Sequence, residues 1–292
     1  EQHKFFLYAR KSTDVEDKQV RSIEDQIAKL RAFAKQENLN VIDVLIEKPH
    51  IGIIKIEGSI SSEAKKDSIL ELIETTKENK SIKAVVLEIN SPGGEAAIIE
   101  EIYLSLLELR RKKPIVASID QLGASGAYYI AIASNYIYAK PSSDIGSIGV
   151  ISVLPEEEPL DENTITTGTL KGVGTPHKEL ARQIQMIQES FLRAVIFQRE
   201  GKLKLSKEEL ADAKVYVGFD ALNLGLIDAL GTKEEAIKKA AKLGRVSNYE
   251  VIELNEEPMI KITISLSVDQ SILNSSTNTV PINYYLYLNP EK

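Results

Sequence analysis

The sequence predicts an α/β domain with mostly parallel strands, and three observations support that prediction. From residue 51 onwards, short apolar segments typical of strands alternate with longer amphipathic segments typical of helices. Two glycine-containing loops directly follow strands, at the carboxyl ends where open α/β sheets place their functional sites. The chain has 292 residues, enough to bury the core of one large domain or two modest ones.

The composition narrows the classes of function. Hydrophobic residues make up 43% and charged residues 27% of the chain, which is ordinary for a globular protein. A net charge of −7 argues against nucleic acid as the main partner, because a phosphate-binding surface needs clustered lysine and arginine. The absence of cysteine excludes disulfides and thiolate catalysis, and the three histidines are scattered, so we expect no metal site and no cofactor. A nucleophilic serine in this chain would have lysine as its leading base.

Residues 1–48 are predicted to form a separate βαβ fragment, with its strand, helix and strand at Phe5–Tyr8, about Ser22–Glu37 and Val41–Ile46. Tyr8–Thr13 and Ser22–Gln26 resemble the start of a serine recombinase catalytic domain, which implies Ser12 as a nucleophile and Arg10 as a phosphate contact. We find no continuation with that family's later arginines, and a serine without those cations cannot stabilise phosphoryl transfer. The fragment is therefore expected to pack on a neighbour or to be a fusion remnant.

The main domain is predicted to span residues 50–257, because Pro49 interrupts the chain before a new strand. Its strands and helices are expected in alternation, with strands at Ile51–Ile56, Ala84–Ile89 and Ile115–Ile119 and helices near Glu63–Glu78, Glu95–Arg110, Pro176–Arg199 and Lys233–Leu243. Residues 258–292 form a strand-like C-terminal tail. Its segment Tyr284–Leu288 is expected to be an edge strand or an arm that docks on a neighbouring subunit.

The main candidate for a site residue is Ser125, in the run Gly123–Tyr129 where a strand gives way to a helix. The first backbone N–H groups of such a helix have no partner within it and point at whatever lies over the serine, which suits an oxyanion. Ser125 is therefore interpreted as a nucleophile. The alternative is that it only caps the helix inside a tight glycine turn, and this segment alone leaves both roles open.

A second loop, Asn90–Gly94, follows the strand at Ala84–Ile89. Pro-Gly-Gly is a strong turn signal by itself. Glycines also let backbone N–H groups approach a ligand closely, because no Cβ stands in the way. Together with the serine loop, this segment is expected to supply one oxyanion donor from Gly93 or Gly94, while Gly126 supplies the other.

Two further residues are candidates to support the serine. Lys171 stands in an uncharged, glycine-containing stretch, where desolvation would lower its pKa enough for the amine to act as a base. Most lysines, however, are solvated surface charges. Ser147 lies in the glycine-bracketed segment Asp144–Val150, where it is either part of a turn or a hydroxyl that orients a buried amine.

Four motifs of this chain, in this order, resemble those of the signal peptide peptidase A-type serine peptidases: Ile89–Gly94, Gly123–Tyr129, Gly146–Val150 and Thr167–Lys171. The resemblance covers residues 51 to 254. It implies a fold like that of the Clp protease subunit and crotonase, built from repeated ββα units. It also implies a Ser-Lys dyad in place of a catalytic triad.

The resemblance assigns roles by position. It implies Ser125 as the nucleophile, Lys171 as the general base, Gly94 and Gly126 as oxyanion donors and Ser147 as the hydroxyl that orients the lysine. The residue after the lysine is often acidic in that family and is a glycine here, which removes one local support for the base.

The activity implied by the resemblance is that of a serine endopeptidase acting on signal-peptide remnants or other extended peptides, in a homo-oligomer. The family is membrane-anchored with an extracytoplasmic active site, whereas this sequence has no apolar run of the ~20 residues that a membrane span needs. Two alternatives remain open. One is a catalytically silent scaffold or binding protein on the same fold, and the other is acyl-CoA chemistry, which would keep the glycine donors without needing the serine and the lysine.

Overall fold

The first unit of the chain is a parallel pair of strands connected by a helix. The computed structural model describes residues 4–10, 23–36, 40–153, 167, 176–254 and 283–286. Strand β1 (Lys4–Arg10) pairs in parallel with β2 (Asn40–Glu47), and helix α1 (Ile23–Gln36) connects the two. The predicted order of strand, helix and strand is confirmed. Ser12 and the side chain of Arg10, which the recombinase resemblance singled out, lie outside the described part of the chain.

Strands and helices then alternate as far as residue 254. The strands are β3 (His50–Glu57), β4 (Ile82–Ser91), β5 (Gly93–Glu95), β6 (Ile115–Ala124), β7 (Tyr136–Ala139), β8 (Asp144–Gly146), β9 (Ile151–Ser152), β10 (Val215–Val217), β11 (Ala229–Leu230) and β12 (Glu250–Glu253). The helices are α2 (Glu63–Glu78), α3 (Ala96–Lys112), α4 (Gly126–Ala131), α5 (His177–Gln198), α6 (Lys207–Ala211), α7 (Gly218–Asn223) and α8 (Lys233–Leu243). The strands and helices predicted for this region are all present.

Eight of these strands form one sheet. Its order is β10-β8-β6-β4-β3-β12, with β7 beside the first half of β6 and β11 beside β7. All of these pairings are parallel except that of β10 with β8. The predicted α/β class with mostly parallel strands is confirmed. Because β4, β6 and β8 run in the same direction, their carboxyl ends meet at one edge of the sheet.

The two faces of the sheet bury different side chains, because successive residues of a strand point to opposite faces. On β4, Val85 and Leu87 belong to a large hydrophobic cluster that includes buried residues of α2 and α3. Val86, between them, belongs to a second cluster with Ala236 of α8. Burying one such side chain stabilises the fold by about 1.5–3 kcal/mol, so both faces of the sheet hold helices in place.

Helices α2 and α8 begin and end at the predicted residues. Ser62 caps α2 by accepting a hydrogen bond from the backbone N–H of Lys65 at 3.4 Å. At the start of α8, the backbone N–H of Thr232 donates to the Glu235 carboxylate at 2.8 Å. Among the helices of the described ranges, none combines the length and the apolar character needed to cross a membrane.

The C-terminal strand β13 (Asn283–Leu286) corrects one prediction. It pairs antiparallel with β5 on one side and with β9 on the other, in a three-stranded sheet of order β5-β13-β9. The expectation of an edge strand is therefore wrong, because β13 is the middle strand. Sequence patterning shows that a segment suits a strand, but which strands lie beside it depends on residues far away in the chain.

Candidate active site

Ser125 lies at the junction between β6 and α4, in a backbone conformation that serine seldom adopts. Its φ is 54° and its ψ is −124°, and its backbone N–H donates to the carbonyl of Gly146 at 2.7 Å. Ser125 occupies the N-cap position of α4, but its side chain makes no capping hydrogen bond to the helix. A positive φ costs a non-glycine residue energy and persists at sites where function requires the geometry. The Oγ atom of Ser125 is buried and has no hydrogen-bond partner among the described residues.

Gly94 lies in a position that only glycine can occupy. Its neighbours bracket Ile60, because the Ile60 N–H donates to the Gly93 carbonyl at 2.9 Å and the Glu95 N–H donates to the Ile60 carbonyl at 3.0 Å. A Cβ on Gly94 would lie 1.9 Å from the Ile60 carbonyl oxygen. Successive backbone groups of a strand point to opposite sides, so the N–H of Gly94 itself points away from Ile60. That N–H faces β13, whose Tyr285 lies opposite Gly94 in the antiparallel register.

Gly93 differs from Gly94 in the direction of its N–H group. The N–H of Gly93 donates to Ser91 Oγ at 3.1 Å, and that hydroxyl donates to the Gly58 carbonyl at 2.6 Å. The φ of Gly93 is 96°, which favours glycine. Its N–H therefore holds the loop in shape, which leaves Gly94 as the better-placed oxyanion donor of the two.

Pairing of β4 with β6 brings the glycine loop and the serine loop together. In the parallel register Ser91 lies opposite Gly123, so the two loops leave the sheet at the same edge. A Cβ on Gly123 would lie 2.8 Å from side-chain atoms of Ile119, so a larger residue where β6 turns toward Ser125 would force Ile119 to shift. Helix α4, which starts at Gly126, lies against β5. The loops that carry Gly94 and Gly126, the predicted donors, thus lie at the same edge of the sheet.

Ser147 is brought to the same edge by strand β8. Gly146, the last residue of β8, lies opposite Ala124 in the parallel register with β6 and accepts the Ser125 N–H. Ser147 follows directly, with a φ of 51° and with its N–H donating to the Lys214 carbonyl at 2.8 Å. Two serines in left-handed conformations therefore lie beyond the ends of neighbouring strands. This register brings Ser147 next to Gly146, the residue that accepts the Ser125 N–H.

Lys171, the predicted base, lies outside the described residues. Among the described histidines, His50 stands at the start of β3, at the opposite edge of the sheet from the carboxyl ends of β4 and β6. His177 is exposed at the first residue of α5, about 20 Å along the helix from Phe191 at 1.5 Å per residue. Phe191 contacts α4 and so marks the part of α5 near the site. Neither histidine is placed to act on Ser125.

Aromatic residues of α4 fix the helix that follows the serine. Tyr128 is fully buried and its hydroxyl donates to the Leu226 carbonyl at 2.8 Å. The ring of Tyr129 stacks on Phe191 with centroids 4.5 Å apart and an interplanar angle of 11°, and it also contacts Tyr103 at 4.7 Å. Burial raises the pKa of Tyr129 to about 12, so it stays neutral at physiological pH. Sequence analysis identified these residues as an apolar run, but not their partners.

A buried ion pair joins Arg199 and Asp228, next to the segment that contacts Tyr128 of α4. Sequence analysis did not predict this pair. Arg199 Nη1 lies 2.9 Å from Asp228 Oδ2, and Arg199 Nε donates to the Gly225 carbonyl at 2.9 Å. The carboxylate also accepts the N–H of Ile137 at 2.8 Å and the amine of Lys202 at 2.6 Å. Burial alone would raise the pKa of Asp228, but the hydrogen bonds and charge of Arg199, with Lys202, hold that pKa below its usual value.

The sequence gives no direct sign that these two residues form a pair. Arg199 comes at the end of α5, and Asp228 ends the run Gly225–Asp228. That run includes Leu226, which accepts the hydroxyl of Tyr128 from α4. The buried carboxylate of Asp228 thus links the end of α5, strand β7 and the loop that contacts α4. The only sequence signal for it is an aspartate that closes an apolar run.

Comparison with family models and comparison with known sequences both match this chain to peptidases. The model described as Peptidase family S49 matches residues 108–247. A protein of Methanocaldococcus jannaschii named as a protease is 34% identical over 213 residues, which cover 68% of this chain and 68% of that protein. A protein of Enterococcus faecium named as the signal peptide peptidase SppA is 31% identical over 204 residues, which cover 65% of this chain and 59% of that protein.

Among solved structures, similarity extends to a mutant of the 1510-N membrane-bound stomatin-specific protease in complex with a substrate peptide. It is 18% identical, with a TM-score of 0.49, and the match covers 70% of this chain and 92% of that chain.

Proposed function

This chain belongs to peptidase family S49 and is a serine peptidase, and from that membership we propose that it cleaves peptide bonds with Ser125 as nucleophile and Lys171 as general base. Membership of this family confirms the Clp protease/crotonase-like α/β fold that the sequence resemblance implied. The observation that most directly supports the assignment of Ser125 is its strained position between β6 and α4, at the same edge of the sheet as the glycine loop.

The proposed mechanism divides hydrolysis into two acyl transfers. Neutral Lys171 takes the hydroxyl proton of Ser125 as Oγ attacks the carbonyl carbon of the scissile peptide bond. The carbonyl oxygen becomes an oxyanion and accepts hydrogen bonds from the N–H groups of Gly94 and Gly126. The lysine ammonium then gives its proton to the leaving amine as the C–N bond breaks, which leaves an acyl-enzyme. The same amine then takes a proton from a water molecule as the water oxygen attacks the ester carbonyl. The lysine ammonium returns that proton to Ser125 Oγ as the ester bond breaks.

Several observations favour a lysine over a histidine as the base. His50 lies at the opposite edge of the sheet and His177 is exposed on α5, so neither described histidine is near Ser125. Ser147 follows Gly146, whose carbonyl accepts the Ser125 N–H. A hydroxyl at that place is suited to accept a hydrogen bond from the lysine and orient the amine. We propose this positioning role for Ser147.

For the substrate we propose extended, unstructured peptides, including signal-peptide remnants. The support is the relative from Enterococcus faecium, which is named as a signal peptide peptidase. A second support is the pairing of β5 with β13, in which an extended segment lies along this edge of β5, because an extended peptide pairs with a strand edge through its own backbone. Membrane association and a homo-oligomer are proposed from the family alone.

The test is covalent labelling of the purified full chain with a fluorophosphonate probe, together with hydrolysis of an unstructured fluorogenic peptide. We expect the probe to be found on Ser125 by peptide mass mapping, and Ser125→Ala to lose both labelling and hydrolysis while it keeps its circular dichroism spectrum. Ser118→Ala is the matched control, because Ser118 is a buried serine of the same strand β6 with no proposed role. Hydrolysis by Ser125→Ala at more than a trace rate would reject the assignment. An unlabelled, inactive wild type would favour a silent scaffold or acyl-CoA chemistry instead.

A further inference from the structure

Strand β13 occupies the groove between β5 and β9. In the antiparallel register Tyr285 lies opposite Gly94 and Leu286 opposite Gly93. On its other side, Tyr284 lies opposite Ile151 of β9. Within the described residues, β5 and β9 belong to one sheet only because β13 pairs with both. A four-residue segment of the C-terminal tail thus fills the space between two strands of the main domain.

The register places β13 on the reactive side of Gly94. The neighbours of Gly94 pair with Ile60, so its own N–H and C=O point to the opposite side, where Tyr285 lies. Strand β13 also lies against α4, the helix that begins directly after Ser125. The backbone of β13 is therefore next to the N–H group that we propose as an oxyanion donor.

The burial of Ser125 raises the question of how a substrate reaches it. Ser125 has a relative exposure of 0%, yet a nucleophile must come into contact with the carbonyl carbon of its substrate. Part of the chain that covers the site must therefore move when a peptide binds. An extended peptide adds to a strand edge by backbone hydrogen bonds, and one edge of β5 cannot pair with β13 and with a substrate at once.

We propose that Asn283–Leu286 is an intramolecular occluding strand that competes with extended peptides for the edges of β5 and β9. The inference rests on the proposed function, because it identifies these edges as the substrate groove. The strand has an uncharged sequence, Asn-Tyr-Tyr-Leu, and it is held by backbone pairing, which an incoming peptide can reproduce. When the strand occupies the groove in most molecules, the apparent Kd for a peptide is the intrinsic Kd divided by the open fraction.

The test is a binding measurement that does not depend on hydrolysis. The full chain carrying Ser125→Ala is titrated against a fluorescently labelled, unstructured peptide, and the Kd is measured by anisotropy with and without Tyr285→Pro. Proline has no N–H and cannot donate to the Gly94 carbonyl, so it weakens the pairing of β13 without requiring any change in the main domain. We expect Tyr285→Pro to lower the Kd by about threefold or more, as release from an occluded state predicts.

Tyr285→Phe is the matched control, because it keeps the backbone N–H and should leave the Kd unchanged. A lower Kd in the proline variant alone supports the occluding strand. An equal Kd in all three proteins, or no peptide binding in any of them, overturns it. If the Kd of the Ser125→Ala protein depends on protein concentration, this also overturns the proposal, because the strand would then come from a second copy.

The result is separable from the proposed chemistry. If the wild-type chain is labelled at Ser125 and hydrolyses peptides but the Kd is insensitive to Tyr285→Pro, the occluding strand alone is rejected. If the variant binds more tightly while no labelling or hydrolysis occurs, the groove assignment stands and the proposed peptidase mechanism fails.

Discussion

Gly94 and Ile60 approach so closely that no other residue fits at position 94. The carbonyl oxygen of Ile60 lies 1.9 Å from where a Cβ on Gly94 would be, well inside van der Waals contact. The same pairing turns the N–H of Gly94 away from Ile60. A close backbone contact on one side of the strand thus sets the direction of the proposed oxyanion donor on the other.

Gly94→Ala is therefore expected to lower kcat for peptide hydrolysis by about 10²–10³-fold, the usual effect of losing one oxyanion donor. The added methyl group must push β5 away from Ile60, and this shifts the N–H. The measurement is steady-state hydrolysis of a fluorogenic peptide by folded protein.

Gly201→Ala is the control for Gly94→Ala. Gly201 has a φ of +72° and no heavy atom within 4 Å of a built Cβ, so alanine there suffers backbone strain but meets no neighbour. It should lose about 1–2 kcal/mol of unfolding free energy with kcat unchanged. A Gly94→Ala protein with wild-type kcat would show that this N–H does not contact the oxyanion.

Lys171 is expected to be essential, and only as an amine that can lose its proton. Lys171→Ala should abolish turnover, and Lys171→Arg should not restore it, because a guanidinium stays protonated. In the wild type, kcat/KM should rise with pH along a limb well below the ~10.4 of a free lysine, since only the neutral amine can accept the serine proton.

His177→Ala is the matched test for a histidine base. His177 is exposed at the start of α5, and its replacement should leave the pH profile as it is. A rising limb near pH 6 that vanished in His177→Ala, or near-normal turnover in Lys171→Ala, would require the Ser-Lys dyad to be abandoned.

The buried pair of Arg199 and Asp228 should be a major contributor to stability. Both side chains are nearly inaccessible, at 4% and 5% exposure, so Arg199→Met leaves a buried carboxylate with only the partly exposed Lys202 as a charged partner. We expect a loss of about 3–5 kcal/mol in urea unfolding. Arg193→Met, which removes an exposed pair with Glu189, should cost under about 1 kcal/mol. Equal losses in the two variants would contradict the structural role of the buried pair.

The same pair predicts a dependence on pH. The pKa of Asp228 is lower in the folded than in the unfolded protein, so its contribution is complete above the unfolded value of about 3.9. It is lost as pH falls through the lower folded value. Unfolding free energies of wild type and Arg199→Met should therefore converge as the pH falls below about 4. A gap between them that stays constant into strong acid would rule out this linkage.

Self-association is expected for the full chain. Several apolar side chains are exposed on the described surface, among them Phe197 at 70% on α5 and Phe219 at 56% on α7. Burial of such side chains between subunits would be favourable. Light scattering at micromolar concentration should give a multiple of the monomer mass. A monomer at that concentration would contradict the prediction.

Local features of the sequence were sufficient to predict the order of the strands and helices. Apolar periodicity and capping residues depend on neighbours within a few positions, and α2 and α8 therefore begin and end at the predicted residues. The position of Ser125 between a strand and a helix could also be predicted locally, because the small residues around it indicate a tight junction. The glycines at residues 90–94 likewise predicted a loop whose backbone can be approached closely.

The sequence alone could not show which surfaces meet. The choice between Gly93 and Gly94 depends on Ser91 and Ile60, and only the structure shows that the Ser125 side chain makes no capping hydrogen bond. The partner of Asp228 comes 29 residues earlier in the chain. The middle position of β13 depends on a register with Gly94, almost 200 residues before it. Such contacts form when distant segments bury surface together, and the energy of that burial is not encoded in any local pattern.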